Sequence, residues 1–535
     1  MKRLLSLLLV VMMVATIVGC GNNNGAQSSE TQKTSSVASN EERKTSEAES
    51  ASTEVAEPKT FTMFAANQSV DMKYDENPGF LWACDNTNVY FDITMCSTAD
   101  LAEKRNLLLA SGDYPEVFYK SSLQDGYEYG SQGIFIPLED LIRENAPNLT
   151  ALLDAQDGWK YITASDGHVY TLPEMQGFGI RDPYFFINTK WLSNLGLKMP
   201  TDIDSLYTAL KAFKEKDANG NGDPNDEVPL AVSASSPSIY YLAQYFGYNY
   251  IKHREYFAID ENGEVFFMAN NDEWKEFITF LKKLYDEELV NQDCFTITLD
   301  ELKARASSNK DHIYGCFWDW ASYDYIVDGW NPENTSRDDW SFLPPFTEGT
   351  LPTSSGYKQG TLAITDKCTD PAAVIAWADQ FYSEEGALIG KNGVEGISLE
   401  WLEDGTWDAI YDAEGNSMIN GYTKVQGYAN HPGLYPTEFQ LKNVSVALVT
   451  REAAEIVKVA ADPWPTMQYT EEETNKLSVV KTDINGYVWE YLSNVVVGKM
   501  DLNSTWDNYV KTLNDMGLED YNKIVQDAYA RGMNK

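Results

Sequence analysis

In the stretch "DANGNGDPNDEVPL", Asp217 to Leu230, oxygen-bearing side chains recur at a spacing that suits a metal ion. Asp217, Asn219 and Asn221 fall at alternate positions, and Gly222 stands sixth, where a calcium loop turns sharply. Asp223 is placed to offer its backbone carbonyl, and Asp226 and Glu227 to close the shell. The twelfth position, usually a bidentate glutamate, is Val228; Glu227 comes one residue early, and Pro229 opposes an exit helix. The expected element is helix, loop, then extended segment: a structural Ca2+ clip without the second helix a sensor needs. Four acidic side chains and no basic one lie in the loop, so it repels itself unless a cation binds. The plainer alternative is a solvated Asn-Gly turn.

Aromatic side chains gather at a second place, "HIYGCFWDWASYDY". A strand through Ile313–Phe317 is expected to end at Trp318, Asp319, Trp320 and Tyr323. Aromatic faces stack on the apolar C–H faces of sugar rings, while a carboxylate or amide bonds their hydroxyls. In open α/β lobes, ligands sit off the carboxyl ends of strands, where these residues would lie. A packed aromatic cluster is the competing reading. "SIYYLAQYFGYNY" adds Tyr240, Tyr241, Gln244 and Tyr245, of which Tyr241 and Tyr245 share one helical face and suit a core. Asn67 and Gln68 after the first strand, and Tyr119 after a later one, are cleft candidates by position. Arg181 could meet an anionic sugar group, or form a surface salt bridge.

Catalytic motifs find little support. His168, His253, His312 and His431 are scattered, "GALIGK" misses the P-loop spacing, and "GFGIRD" lacks the third dinucleotide-binding glycine.

The elements that must position these residues read as α/β. Phe61, Met63 and Ala65 in "KTFTMFAAN" alternate as a strand. A helix over Thr98–Ser111, a turn at Gly112–Pro115 and the strand "EVFYK" complete a β-α-β unit, which favours a parallel sheet. Asp370 and Pro371 open a helix with Val374, Ile375, Ala378, Phe381 and Tyr382 on one face, which Gly386 should stop. Asn271 opens another, with Trp274, Phe277, Ile278, Leu281, Leu284 and Tyr285 at helical spacing. Three helices near Trp489–Val497, Thr505–Met516 and Glu519–Ala530 close the chain.

At 535 residues the chain is too long for one simple core, so two or more lobes are expected. Its net charge of −40 argues against nucleic acid or an anionic membrane surface as a partner. Lys2 and Arg3 precede an apolar run, Leu4 to Val18, that ends in "IVGC". This resembles a bacterial lipobox, which implies that Cys20 is diacylated and anchors the mature chain to a membrane. The Ser-, Thr- and Glu-rich segment that follows buries too little surface to order itself and is expected to be a tether. Five further cysteines, Cys84, Cys96, Cys294, Cys316 and Cys368, include no CxxC pair, so neither a disulfide framework nor a zinc site is indicated. Whether Cys84 and Cys96 pair is left open.

Read in order, "LLLASGDYPEVF", "GIFIPLEDLI", "DGHVYTLPE", "YFFINTKWLSNLGLKMPTDIDSLYTALKAFKEKD", "FLKKLYDEELVNQDCF" and "VVVGKMDLNSTWDNYVKTLNDMGLEDYNKIVQDAYARG" resemble the extracellular solute-binding proteins, family 1, of bacterial ABC importers. The similarity is to the large lipoprotein branch of LipO and the alginate-oligosaccharide binding proteins. It implies two α/β lobes of the type II periplasmic-binding-protein fold, each a sheet covered by helices, with ligand held between them. It also implies a hinge near His168–Leu172, a return strand in "TSSGYKQGTLAI", and a calcium loop at the same place. Asn188-Thr189-Lys190 departs from the Arg-Lys-Asp run of the LipO-like branch and leans toward general sugar binding.

The expected organisation is a signal peptide over 1–19, a tether over 20–58, and a first lobe over 59–168. A second lobe with the calcium loop follows over 169–350, then a return to the first lobe over 351–440. A helical region over 441–535 is expected to pack on both lobes. The expected function is capture of an oligosaccharide by a lipid-anchored monomer outside the cytoplasmic membrane, for delivery to an ABC permease. A ligand-sensing lipoprotein and a polysaccharide hydrolase or lyase are the alternatives.

Overall fold

The computed structural model describes residues 57–533, apart from 68–72, 98–99, 121–122, 124–125, 177–182, 224, 249–250, 253–254, 261, 330, 332–333, 348–350, 352–355, 414–416, 419–430, 436, 445–451, 460–463, 465–466 and 468. Cys20, Gln68, Arg181, the signal peptide and nearly all of the tether lie outside the described residues.

Strands β1 (Lys59–Asn67), β2 (Val89–Ser97), β3 (Val117–Tyr119) and β4 (Leu172–Met175) come first. The chain then crosses to β5 (Tyr184–Asn188), β6 (Val228–Ala231), a small antiparallel sheet of β7 (Ile251–Lys252), β8 (Phe257–Ile259) and β9 (Val265–Phe267), and on to β10 (Tyr314–Asp319) and β11 (Trp340–Phe342). It returns through β12 (Tyr357–Ile364), a hairpin of β13 (Leu399–Trp401) and β14 (Trp407–Ala409), and β15 (Gly433–Leu434). The first lobe holds a six-stranded mixed sheet in the order β15-β4-β12-β3-β1-β2, and the second a four-stranded sheet in the order β11-β5-β10-β6.

In β1, Phe61, Met63 and Ala65 are buried as the alternation predicts, but so are Phe64 and Ala66. Helices cover both faces, and parallel pairing with β2 and β3 keeps the strand central. The sequence reading missed β2 and the helix Pro78–Thr87 before it, so its single β-α-β unit is two, β1-α-β2 and β2-α-β3. β2 is an edge strand whose middle stays half open to solvent, so it lacks the apolar run that marks its neighbour. The helix after it spans Leu101–Ser111 and ends at Gly112, which adopts the left-handed conformation.

The helix opened by Asp370 forms as expected, with the Asp370 carboxylate accepting from the Ala373 amide at 3.2 Å. Gly386 does not stop it. The helix ends in a tight turn at Tyr382, Ser383 caps a new helix over Glu384–Asn392, and Gly386 sits inside that helix. A Cβ there would fall 1.8 Å from the Gln380 carbonyl oxygen, which explains the glycine.

The first-lobe core gathers Phe61, Met63, Tyr119, Leu172, Leu362 and Trp377, whereas the second centres on Phe185, Leu210, Trp274, Phe277 and Leu281. β4 belongs to the first sheet, so the crossing follows Met175 and not the expected residues 168–172. The C-terminal helices Glu471–Val496, Leu502–Asp515 and Leu518–Met533 are longer than the sequence suggested, and their apolar faces join the second-lobe core. Nearer the start of that region, the Val444 amide donates to the carbonyl of Trp407 in the β13–β14 hairpin at 3.1 Å. Among the described residues no helix is long and apolar enough to cross a membrane. The five cysteines there are free thiols, and burial raises Cys84 and Cys294 to about 12.

Candidate functional site

Register fixes which end of each sheet faces the crossings. Asp319 of β10 lies opposite Tyr184, the first residue of β5, and β6 runs parallel to β10. The carboxyl ends of β6 and β10 therefore emerge where the chain enters the second lobe. In the first lobe, Tyr357 of β12 pairs with Met175 of β4, and Leu362 with Tyr119 of β3. The carboxyl ends of β1, β3 and β4 thus point to the same crossings, the place where ligands bind in open α/β sheets.

At the end of β10, Trp320 keeps 51% of its surface exposed. Its neighbours do not. Trp318 is buried and stacks on the half-buried Tyr241, with ring centroids 5.2 Å apart and planes at 16°. Asp319 is buried and takes hydrogen bonds from the Tyr325 hydroxyl at 2.9 Å and the Trp320 amide at 2.6 Å, with the Lys303 ammonium 2.8 Å away. Its carboxylate is spent on the protein rather than presented to a ligand. Tyr323 is a correction: it lies in the core with the Arg337 guanidinium 4.2 Å over its ring. Tyr240 is likewise buried between Tyr256 and Trp489, at 5.4 and 5.2 Å. Gln244 is buried, and its Oε1 has no hydrogen-bond partner. Tyr119 is also core, sharing a 2.8 Å hydrogen bond with His431 Nδ1. Asn67 ends β1 on the crossing side. Of the predicted aromatics, only Trp320 offers an open face.

Sequence reasoning missed a cleft of about 1210 Å³ on the first lobe, beside Met175, Gln176 and Tyr357 at the crossings. One wall holds Tyr161 stacked on Tyr357, centroids 5.1 Å apart and planes at 14°, with the Tyr357 hydroxyl donating to Gln156 at 2.8 Å. The other carries Trp401, 40% exposed, edge-on to Phe439 at 5.3 Å. Phe439 in turn stacks on buried Trp407 at 4.6 Å, so the β13–β14 hairpin holds Trp401 as a fixed platform. Gln156, Gln176, Asn148, Glu384 and Lys442 supply polar groups to the lining. Aromatic faces between amides suit a ligand with apolar faces and a hydroxyl rim.

The helix Ile203–Glu215 runs straight into the predicted metal loop, and β6 begins at Val228, so the element is helix, loop and strand as expected. Gly222 holds φ of 95°, which permits the sharp turn. The Asp217 carboxylate accepts from the Gly222 amide through Oδ2, and Glu227 from the Ala218 amide through Oε1. The second oxygen of each, Asp217 Oδ1 and Glu227 Oε2, is buried with no partner. The Asn219 and Asn221 amide nitrogens reach Asp226 at 3.2 and 2.8 Å, and a half-turn of each amide exchanges donor for acceptor. The Asp223 side chain accepts from the Asn225 backbone amide at 3.1 Å. Among the described residues no three His, Cys, Asp or Glu side chains form a ligand cluster by themselves. The loop instead mixes carboxylate and amide oxygens, a donor set that fits a hard divalent cation.

The sequence matches the family described as bacterial extracellular solute-binding protein over residues 85–388, more than half of the chain. The chain belongs to that family. A similar relative is the fructooligosaccharide ABC transporter substrate-binding protein FusA of Streptococcus pneumoniae serotype 4, 25% identical over 474 residues, which are 83% of this chain and 85% of FusA. Among solved structures, an EF-hand mutant of FusA in complex with fructo-nystose aligns with a TM-score of 0.70 and 24% identity, over 89% of this chain and all of that one. An HMO-binding, ABC-transporter-associated solute-binding protein from Bifidobacterium longum infantis aligns with a TM-score of 0.74 and 20% identity, over 89% and 99% of the two chains. The solute-binding protein therefore has the two-lobed fold of these relatives.

Behind the cleft, this solute-binding protein buries an unusual set of charges. Lys391, in the last turn of the helix Glu384–Asn392, pairs with Glu174 of β4, and both are buried. Lys120 and His431 lie in the same interior. Burial, helped by Lys391 and Lys358 and opposed by Glu174, brings Lys120 down to about 7. Burial and the two lysines Lys391 and Lys120 hold His431 well below its ordinary value. A lysine depressed in the folded state costs stability while it is charged, and that cost fades as pH rises from its folded pKa to the unfolded value near ~10.4. Lys120→Met is expected to stabilise the protein at about pH 7, with the advantage shrinking by about pH 9. Urea melts of both proteins at the two pH values check this; an advantage that grows with pH would contradict it.

Proposed function

We propose that this chain is the substrate-binding component of an ABC importer, that it captures an oligosaccharide between its lobes, and that it passes the sugar to the permease membrane subunits. The observation that carries the reading is the aromatic-walled, amide-lined cleft at the crossings. A relative supports it: FusA is named for fructooligosaccharides. The lobes close around ligand by a hinge at the crossings, a common switch in such architectures. The chain acts as a monomer held outside the cytoplasmic membrane by lipid on Cys20. It binds rather than turns over its ligand.

Asp217, Asn219, Asn221, the Asp223 carbonyl, Asp226 and Glu227 would hold Ca2+. The orphaned oxygens of Asp217 and Glu227 support the assignment, as does the EF-hand named for the FusA mutant. When bound, the ion supplies positive charge to an acidic loop and clips the helix Ile203–Glu215 to β6.

A thermal-shift screen over neutral oligosaccharides tests the reading. At least one ladder of sugars is expected to raise the melting temperature, and Trp320→Ala to weaken that ligand about tenfold, or ~1.4 kcal/mol. If no carbohydrate stabilises the protein, the proposal falls.

A further inference from the structure

The first-lobe cleft says more about the ligand than that it is a sugar. We propose that this cleft is an extension subsite for the successive rings of an uncharged oligosaccharide, which lets the protein discriminate by chain length. The inference rests on the sugar-binding reading above and specifies its ligand. Size comes first: a cleft of about 1210 Å³ exceeds the ~300–1,000 Å³ of typical small-ligand sites, so it has room for more than one ring.

Platform geometry comes second. Trp401 is locked by Phe439 and Trp407 on one wall, and the Tyr161–Tyr357 stack forms the other. Two fixed aromatic surfaces suit consecutive rings of one chain better than a single compact solute, because each ring offers its own C–H face.

Charge comes third. Among the described lining residues the ionic groups are one carboxylate, Glu384, and one ammonium, Lys442, which balance. Lys391, buried on the helix Glu384–Asn392 that lines the cleft, is already paired with Glu174. The chain's net charge of −40 also opposes the approach of a polyuronate. A carboxylated sugar would thus lose its hydration and find a single ammonium, Lys442, 5.9 Å from the Trp401 ring and offset in charge by Glu384, whereas hydroxyls find Gln156, Gln176 and Asn148.

Calorimetric titration of the full chain with neutral glucose, xylose and fructose ladders, from disaccharide to hexasaccharide, tests the proposal, with oligogalacturonates as the charged arm. Trp401→Ala removes the exposed platform. Ala151→Trp, on the solvent-exposed face of a helix lining the cleft, fills the subsite without opening the core. Both variants should melt like the wild type, and should weaken the longer members of a bound neutral ladder by tenfold or more, with a smaller loss for the shortest bound member. Equal affinity of both variants and wild type for the long members would overturn the subsite while leaving the sugar-binding reading intact. Tighter binding of oligogalacturonates than of any neutral ladder would overturn the uncharged-ligand assignment. Binding of no saccharide by the wild type would remove the reading and the subsite together.

Discussion

Chelation with EDTA is expected to lower the melting temperature of the second lobe by about 10 °C. Two buried carboxylate oxygens, Asp217 Oδ1 and Glu227 Oε2, have no partner, and Asp226 adds further negative charge beside them. Desolvation raises the Glu227 carboxyl above its ordinary value, and Asp226 pushes the same way, against hydrogen bonds from the loop backbone. A bound divalent ion relieves both. At a free-ion concentration about a thousandfold above Kd, linkage supplies ~4 kcal/mol, and each kcal/mol moves the midpoint by about 2–4 °C in a domain of this size. The loop connects the helix Ile203–Glu215 to β6, which pairs with β10, so its loosening reaches the strand that carries Trp318 and Asp319. Glu227→Gln and Asp217→Asn should each weaken the response to added calcium. Superimposable melting curves with and without EDTA would defeat the metal assignment.

The second large effect is expected from Glu174→Gln. This substitution keeps the shape of the side chain but leaves Lys391 and Lys120 buried without their shared counter-charge. Breaking a buried pair by removing one partner costs ~3–5 kcal/mol, because the other charge stays desolvated. Glu174 lies on β4, the strand that leads out to the second lobe, and Lys391 on the helix Glu384–Asn392 that lines the cleft. The damage should therefore centre on the cleft side of the first lobe. Adding Lys391→Met to Glu174→Gln should recover part of the loss, since it removes one of the two stranded charges. Urea midpoints of the two variants measure the effect. A loss below about 1 kcal/mol in the single variant would mean that the network is solvated, contrary to its burial.

The parts of this molecule that were legible in sequence are those whose signal is local. Spacing within one loop pointed to the candidate metal loop and to its helix–loop–strand form, because Asp217, Asn219, Asn221 and Gly222 need only a turn to converge. Capping residues Asp370 and Asn271 placed their helices for the same reason. The aromatic run at the end of β10 was visible as a cluster, but which rings face outward was not. Trp318 packs on Tyr241 and Tyr323 under Arg337, partners that lie in other segments, and only Trp320, beyond the strand end, escapes them. The first-lobe cleft was invisible because it is assembled from distant pieces. Gln156 and Tyr357 are bonded across 201 positions, and Trp401 owes its orientation to Phe439 and Trp407. No one segment carries a pattern for it. β2 was lost for a different reason: a half-exposed edge strand lacks the apolar run that marks a buried one.

Calorimetric titration of the purified chain with neutral oligosaccharides, followed by chromatography of the recovered sugar, tests the central claim most directly. The expected result is saturable binding of one oligosaccharide per chain with the ligand recovered unchanged. Failure of every saccharide to bind, or recovery of shortened products with new reducing ends, would contradict it.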